Sequence, residues 1–448
     1  MLIQKLPSKT GLCVIGGGAS GFYAAIACAE RAASKGYNIC KEDGVLILEK
    51  SDKLLHKVSI SGGGRCNVMH RPGTTTSATY PRGAALMDHL IARHGALDCA
   101  RWFEQKGVLL KTERDGRMFP ASNKSRTVVD CLLSVASSLG IKVLVNAKAT
   151  SLVQADAMSM GIFVETNEGK EELECKRIAL CTGSAQKRSA KALLQHAADS
   201  VGPVAPSLFS LCFAETAVPE FHGLEGVAVP DGVVKLMGSS VEARGPILIT
   251  HGGISGPAIL RLSAWGAFDL RDSDYQGKLQ INWTPHLQSP GDAARAVAQV
   301  PAGRGGRPPV RRKALGDVSP WPRVLPARLW QRLVQRAGAS GLIRIPWRVF
   351  EQPEAAEELV TKLWPCMTSH EVEVNGRRLN KAEFVTAGGV NTQAFDWNSM
   401  ESTTFPGVYF AGEAVDIDGI TGGFNFQGCW SSGYVAGVSA ADAMCPDV

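Results

Sequence analysis

Between Gly11 and Gly21 a short apolar run, Gly-Leu-Cys-Val-Ile, ends in the glycine cluster Gly16-Gly17-Gly18-Ala19-Ser20-Gly21, and an alanine-rich stretch follows from Phe22 to Ala33. An apolar run of that length suits a parallel strand covered on both faces, and the alanine-rich stretch is strongly helix-forming. Val45–Leu48 supplies a second apolar strand, ending at Glu49. The order predicts a β-α-β unit in which Gly16 permits a tight turn, Gly18 lets the backbone approach a pyrophosphate, and Gly21 lets the helix pack closely on its strand. The anion would sit at the helix N-terminus, with Ser20 in the same turn, where free N–H groups and the dipole favour negative charge. Glu49 is placed to accept hydrogen bonds from an adenosine ribose. It lies 28 positions after Gly21, against the usual ~20, a surplus assigned to a surface loop over Ser34–Gly44.

The rest of the chain has two textures. Gly107–Lys111 and Ile141–Val145 read as strands and Thr127–Leu139 as an amphipathic helix, while Ile162–Asn167 and Leu173–Leu180 flank a turn at Glu168-Gly169 and suggest a hairpin. From 200 to 290 short strands alternate with prolines and glycines, which predicts a β-rich module. From 291 to 370 the pattern is helical, with Leu325–Ala337 and Ala355–Leu363 the clearest amphipathic stretches. Gly407–Ala411 is again a buried-strand run, followed by a glycine-rich turn and a small-residue helix over 424–443. Because the two ends share a style that the middle lacks, the sequence predicts a discontinuous nucleotide-binding domain at 1–199 and 371–448, a β-rich insertion at 200–290 and a helical basic cap at 291–370.

Two further glycine constellations carry chemistry. Ser61-Gly62-Gly63-Gly64-Arg65-Cys66-Asn67 follows Glu49 closely; consecutive glycines expose backbone N–H groups, and Arg65 offers a guanidinium fork for a phosphate or a flavin carbonyl. Cys66 has no second cysteine nearby and reads as a buried structural thiol rather than a redox group. The last constellation is Gly412-Glu413, Asp416-Ile417-Asp418-Gly419 and Thr421-Gly422-Gly423-Phe424-Asn425-Phe426-Gln427. Acids after a strand suit sugar-alcohol hydroxyls, and a glycine-led helix start presents N–H groups to the electron-rich edge of an isoalloxazine.

Several function classes are excluded. The twelve cysteines are scattered with no Cys-x-x-Cys, the nine histidines include no His-x-x-x-His, and Gly253-Ile254-Ser255-Gly256-Pro257 is not a Gly-x-Ser-x-Gly elbow, so a disulfide scaffold, a metal site and a hydrolase are not expected. The cysteine usage fits a reducing, cytoplasmic compartment. Leu12–Ala29 and Gly419–Ala441 carry no charge, but glycines interrupt both, and no membrane span is expected. The net charge of +6 is local, since residues 301–350 hold eleven Lys and Arg against the single acid Asp317. The Arg304–Lys313 cluster is a Gly/Pro loop without aromatics, so nucleic acid is not the expected partner. Arg328, Arg332 and Arg336 form one stripe of the Leu325–Ala337 helix, beside Leu329 and Leu333. The expectation is a mobile lid packed by its leucines, with its arginines turned outward or toward an anionic ligand such as NADPH.

In order along nearly the whole chain, Gly16–Gly21, Ser61–Asn67, Arg117-Met118-Phe119-Pro120, Thr250-His251-Gly252-Gly253-Ile254-Ser255-Gly256-Pro257, Thr386-Ala387-Gly388-Gly389-Val390 and Gly407–Gln427 resemble the BaiN-like FAD flavoproteins, relatives of aminoacetone oxidase and 3-dehydro-bile-acid reductase. The resemblance implies an α/β, Rossmann-like FAD-binding domain of the glutathione-reductase type, interrupted by a β-barrel-like module and a helical cap. Carried over by position, Gly16, Gly18, Ser20 and Gly21 line the pyrophosphate and Glu49 the adenosine ribose. Gly64, Arg65 and Cys66 approach the cofactor from the second loop, and Thr182-Gly183 closes under it. Gly412, Glu413 and Asp418 meet pyrophosphate and ribityl, while Gly423, Phe424 and Asn425 face the flavin ring. After Gly183 the chain departs from the family, with Ser184-Ala185-Gln186-Lys187-Arg188 where relatives carry more glycine.

The implied activity is that of an FAD-dependent oxidoreductase with noncovalent FAD, reduced by NAD(P)H and acting on a small organic carbonyl, an enone or oxygen. With a single Gly-x-Gly-x-x-Gly there is no second dinucleotide domain, so a nicotinamide donor must meet the flavin face directly. His251 is the expected proton donor, since a group titrating near neutrality suits protonation after hydride transfer. The alternative is an FAD-binding sensor or interaction protein whose basic cap holds a macromolecular partner. Substrate, oligomeric state and source are not legible.

Overall fold

Burial begins one residue into the first strand: in β1 (Lys9–Ile15) only Lys9 is exposed, and β2 (Val45–Leu48) is buried throughout, as a sheet covered on both faces requires. The computed structural model describes the chain except residues 75, 155–158, 299–318, 320–323, 340, 342–343, 345–351, 379–384 and 446–448. It divides into two compact units, Met1–Ser207 with Lys381–Val448, and Leu208–Asn380.

In the first unit β1 leads to α1 (Ala19–Ser34), α2 (Ile39–Glu42) and β2. The surplus before Glu49 is therefore partly a one-turn helix, capped by the Asn38 side chain. α3 (His56–Gly64) loses helical geometry at Ser61. β3 (Met69–His70), α4 (Ala84–Arg93), α5 (Ala96–Gln105), β4 (Leu110–Thr112) and β5 (Arg117–Pro120) follow, the strands forming a small sheet in the order β3-β5-β4. Then come α6 (Ser125–Ser138), β6 (Lys142–Leu144), β7 (Lys148–Gln154), β8 (Met160–Thr166), β9 (Gly169–Leu180), α7 (Arg188–Ala197) and β10 (Ala205–Ser207).

The second unit opens with β11 (Ser210–Phe213), α8 (Val218–Phe221), β12 (Ala228–Leu236), β13 (Glu242–Thr250) and β14 (Gly253–Ser255). It continues with α9 (Pro257–Trp265), α10 (Ala267–Asp272), β15 (Gln276–Asn282), α11 (Pro290–Ala298), α12 (Ala327–Arg336), α13 (Pro353–Thr368) and β16 (His370–Arg378). Its strands close a barrel in the order β11-β14-β13-β12-β15-β16. β16 pairs with both β15 and β11, so residues 370–378 complete the barrel and the chain rejoins the first unit after 380 rather than at 371. Nor do the helices of 291–370 stand apart from the β-rich module. Leu329, Leu333, Leu359 and Leu363 share one apolar core with Val234, Ile249, Leu279 and Ile281 of the strands.

The returning segment supplies β17 (Val385–Ala387), β18 (Val408–Phe410) and α14 (Phe424–Met444). The main sheet runs β6-β2-β1-β9-β8-β7, with β18 on β9. β6, β2, β1, β9 and β18 are parallel and in register, so Leu144, Leu48, Ile15, Leu180 and Phe410 end at one edge. α14 lies directly on α1: a Cβ at Gly433 or Gly437 would come within 2.8 Å of Ser20 O or 2.2 Å of Ala24 O. Among the described residues no helix is long and apolar enough to cross a membrane.

Candidate functional site

Everything that follows the common strand edge is turn or helix start. That edge is where ligands bind in open parallel sheets, because backbone groups there lack partners and helix N-termini converge. The three glycines of the first loop have different jobs. A Cβ at Gly16 (φ +121°) would lie 2.2 Å from Cys181 O and one at Gly21 1.9 Å from Gly16 O, so both are required by packing. Gly18 has an extended backbone open to any residue (φ −94°, ψ −168°), and a Cβ there meets no protein atom within 4 Å. Its side of the loop is free, at the start of a helix whose first turn no side chain caps. Ser20 is buried under Gly412, whose own Cβ would fall 2.4 Å from Ser20 Oγ.

Glu49 is half-buried at the end of β2. Its Oε2 accepts the Gly17 N–H at 2.9 Å, and its Oε1 accepts the Ser51 N–H at 2.9 Å and hydroxyl at 2.8 Å. These bonds hold the carboxylate beside a pocket of about 50 Å³ lined by Gly16, Glu49, Lys50, Lys148, Thr182, Ser189, Ala190 and Leu193. Burial, with Lys187 nearby, lowers the Lys50 pKa. Lys50, Lys148 and the α7 residues are missed by motif reading because they reach the pocket from separate elements.

The second loop is built as its glycines suggest. Gly62, Gly63 and Gly64 are exposed and left-handed (φ +58°, +67°, +81°), and Cβ atoms at Gly63 and Gly64 meet nothing within 4 Å. The Arg65 guanidinium carbon stacks 3.9 Å over the Phe119 ring centroid, and Nη2 pairs with Glu113. Cys66 is fully buried, and burial pushes its thiol up to about 12, which keeps it protonated and unreactive. In the amide orientation that satisfies both ends, Asn67 accepts the Gly423 N–H at 3.0 Å and donates to Met69 O at 3.1 Å, tying this loop to the start of α14.

The third constellation divides. Gly412 (φ +70°) donates its N–H to Ser432 Oγ at 2.9 Å. Glu413 pairs through Oε2 with Lys57, accepts the Thr386 N–H on Oε1 at 2.9 Å, and lies 3.9 Å from the Cβ position of Gly183 (φ +69°). The structure therefore brings Gly16, Glu49, Thr182, Gly183, Gly412 and Glu413 to one edge. Asp418, expected at a ribityl chain, is instead fully buried between Arg82 and the Ser207 hydroxyl, with burial pushing its carboxyl pKa up against the pull of Arg82. Phe424, expected at the flavin ring, is buried and stacked on His70 with centroids 4.8 Å apart. Asn425 spends its amide on both backbone groups of Gly419, at 2.9 and 2.8 Å. Gly423 (φ +96°) starts α14 against Met69 O, 2.6 Å from its Cβ position.

His251 belongs to the second unit, exposed at the tight turn between β13 and β14. Arg328 and Arg336 of the α12 stripe are exposed and Arg332 is half-buried, and all three are engaged by the segment at and just after α8. Arg328 donates to Gly223 O at 3.0 Å; Arg332 donates to the carbonyls of Pro219, Glu220 and His222 at 3.0, 2.6 and 2.9 Å; Arg336 pairs with Glu220 at 2.6 Å. The carbonyls at the end of the one-turn helix α8 lack helical partners, and the guanidiniums satisfy them while Leu329 and Leu333 are buried. The Arg304–Lys313 cluster lies outside the described residues.

The family described as HI0933-like protein Rossmann domain matches residues 10–439. The chain is 27% identical to a 3-dehydro-bile acid delta(4,6)-reductase of Clostridium scindens, over 96% of this chain and 98% of that protein. It is 26% identical to a ribosomal RNA dihydrouridine synthase of Haemophilus influenzae, over 95% and 97% of the two chains. With the protein of the same description from Escherichia coli it shares 25%, over 94% and 95%.

Proposed function

Because the chain belongs to the HI0933-like Rossmann family, a family of flavin oxidoreductases, we propose that it draws reducing equivalents from NAD(P)H and uses them to reduce a carbon–carbon double bond conjugated to a carbonyl. The cofactor reading rests above all on Gly18, a glycine that neither backbone geometry nor a neighbouring protein atom requires. Open space at Gly63 and Gly64 extends the same cradle, and Gly183 meets only Glu413 Oε2, 3.9 Å from its Cβ position. FAD fits these residues. The N–H groups of the Gly16–Gly21 turn would hold its diphosphate, Glu49 its ribose, and Glu413 with Lys57 its sugar-alcohol hydroxyls. The glycines 62–64 and the Gly422-Gly423 helix start would border the ring.

The substrate class comes from the chemistry shared by the relatives' names. The Δ4 and Δ6 bonds of a 3-oxo steroid and the 5,6 bond of uracil all lie in conjugation with a carbonyl. Reducing any of them adds a hydride at the carbon of the double bond remote from the carbonyl and a proton to the enolate or dienolate that results. A bound flavin supplies the hydride; the protein must supply the proton, and His251 is the proposed source. Cys66, fully buried, is read as a structural thiol.

A small enone is the first reading, and a uracil base in RNA is the second, favoured by two relatives that match nearly the full chain. The test is anaerobic. The protein is expected to purify with a flavin spectrum that bleaches on adding NADPH or NADH, and the bleached form to recover on adding a cyclic enone. Recovery by unmodified ribosomal RNA, with enones inert, would select the second reading. Recovery by oxygen alone would overturn both.

A further inference from the structure

The acids of the 413–418 run serve a purpose their spacing does not disclose. The chain leaves the first unit after Ser207 and rejoins it at Lys381, and the flanking strands β10 and β17 pair as an antiparallel ribbon, Ala205 opposite Ala387 and Ser207 opposite Val385. Each acid ends on this ribbon or its continuation. Asp418 takes the hydroxyl of fully buried Ser207 at 3.0 Å. Asp416 is held to the ribbon's continuation by its main chain, its N–H donating to Val390 O at 3.0 Å. Glu413 takes the N–H of Thr386, whose hydroxyl donates to Ser184 at 2.6 Å.

Glu413 joins the ribbon to the cradle, since Oε1 holds the ribbon while Oε2 holds the half-exposed Lys57 beside Gly183. We propose that Glu413 couples occupancy of the cofactor cradle to the order of the β10–β17 ribbon, through which the chain passes into and out of its second unit. The inference rests on the FAD reading above. A cofactor hydroxyl or phosphate that engages Lys57 or Oε2 fixes the carboxylate's rotamer, which holds Oε1 on the Thr386 N–H. Linkage makes the effect reciprocal: loosening the ribbon must weaken cofactor binding by the same factor. Ser207, which touches no part of the cradle, is then a positioning residue acting through Asp418 and the ribbon.

The test uses the full chain stripped of FAD and titrated back, with binding followed by flavin fluorescence and amide exchange followed over residues 385–390. FAD should slow exchange there by about ten-fold. Ser207→Ala should weaken FAD binding by a similar factor and diminish that protection. Leu152→Ala, a core truncation in β7, controls for general destabilisation and should leave FAD affinity unchanged. FAD uptake with unaltered exchange at 385–390 would overturn the coupling alone, as would equal losses of affinity in Ser207→Ala and Leu152→Ala. Failure of the wild type to take up FAD would overturn the cofactor reading and the coupling with it.

Discussion

Replacing Gly18 by alanine separates a glycine kept for a ligand from one kept for the fold. Its φ of −94° suits alanine, and the new Cβ meets no protein atom within 4 Å. Reduced freedom of the unfolded chain would stabilise the variant by about 0.4–1 kcal/mol. Gly18 is also the N-cap of α1, where alanine is worse than glycine by roughly 0.5–1 kcal/mol. The two effects cancel to within about 0.5 kcal/mol, so the apoprotein should melt like wild type. A methyl group where the diphosphate must press against the backbone is an overpacking event of about 1–3 kcal/mol, or about 5- to 150-fold in FAD affinity. Gly21→Ala should behave oppositely, because a Cβ 1.9 Å from Gly16 O must move the backbone of the turn. The apoprotein itself should lose about 1–3 kcal/mol or more. Flavin fluorescence titration and thermal melts of the two apoproteins decide the matter. Wild-type FAD affinity in Gly18→Ala, or a loss of apoprotein stability matching that of Gly21→Ala, would refute the assignment.

Burial lowers the pKa of His94, stacked on Tyr434 and bonded to the Tyr23 hydroxyl at 2.8 Å, from 6.5 to about 4. Between those values the unfolded chain takes a proton that the folded chain refuses, so stability is unaffected above pH 6.5, falls as pH drops, and is lost by about 3 kcal/mol in all below about pH 4; denaturant melts of His94→Gln should show a shallower acid limb. Arg332→Ala leaves three carbonyls without their donor and, discounted for partial exposure, should cost about 1–3 kcal/mol, read as a lower melting transition with the Michaelis constant for NADPH unchanged. His251→Gln should slow recovery of the bleached protein by an enone about a hundred-fold while leaving reduction by NADPH intact; equal rates in both half-reactions would remove His251 from the chemistry.

What the sequence discloses and what it hides divide along chain distance. Gly16 is fixed in part by Cys181 O, 165 positions on, but the roles of Gly18 and Gly21 are local, set by a strand, a turn and a helix within a dozen residues. The same holds for the left-handed glycines at 62–64. The targets of Asp418 are remote, since Ser207 and Arg82 lie 211 and 336 positions away, and no pattern around Asp416-Ile417-Asp418 announces them. Arg65 and Phe424 point to cofactor contact by type, yet Glu113, Phe119 and His70 compete for them and hold them in the structure. The arginine stripe on α12 was readable as an exposed stripe; its partners were not, because they are carbonyls at the end of α8 more than a hundred positions earlier. β16 closes the barrel from beyond α11, α12 and α13, so a change of texture along the sequence marks that boundary poorly.

The contact of α14 with α1 also sets an order of events during synthesis. The first helix emerges early with an apolar, alanine-rich surface, but the glycines that receive it, Gly433 and Gly437, are made some four hundred residues later. The barrel needs nothing beyond residue 378 to close, and so it can mature while its host domain still lacks residues 381–448. Until α14 arrives, the buried face of α1 stands bare and the edge that carries Gly18 has no floor beneath Gly412. Such an intermediate is a natural client for chaperones. Cofactor capture is therefore one of the last steps in the protein's assembly, and a nascent chain arrested before residue 424 should contain a folded inner module and no capacity to hold flavin.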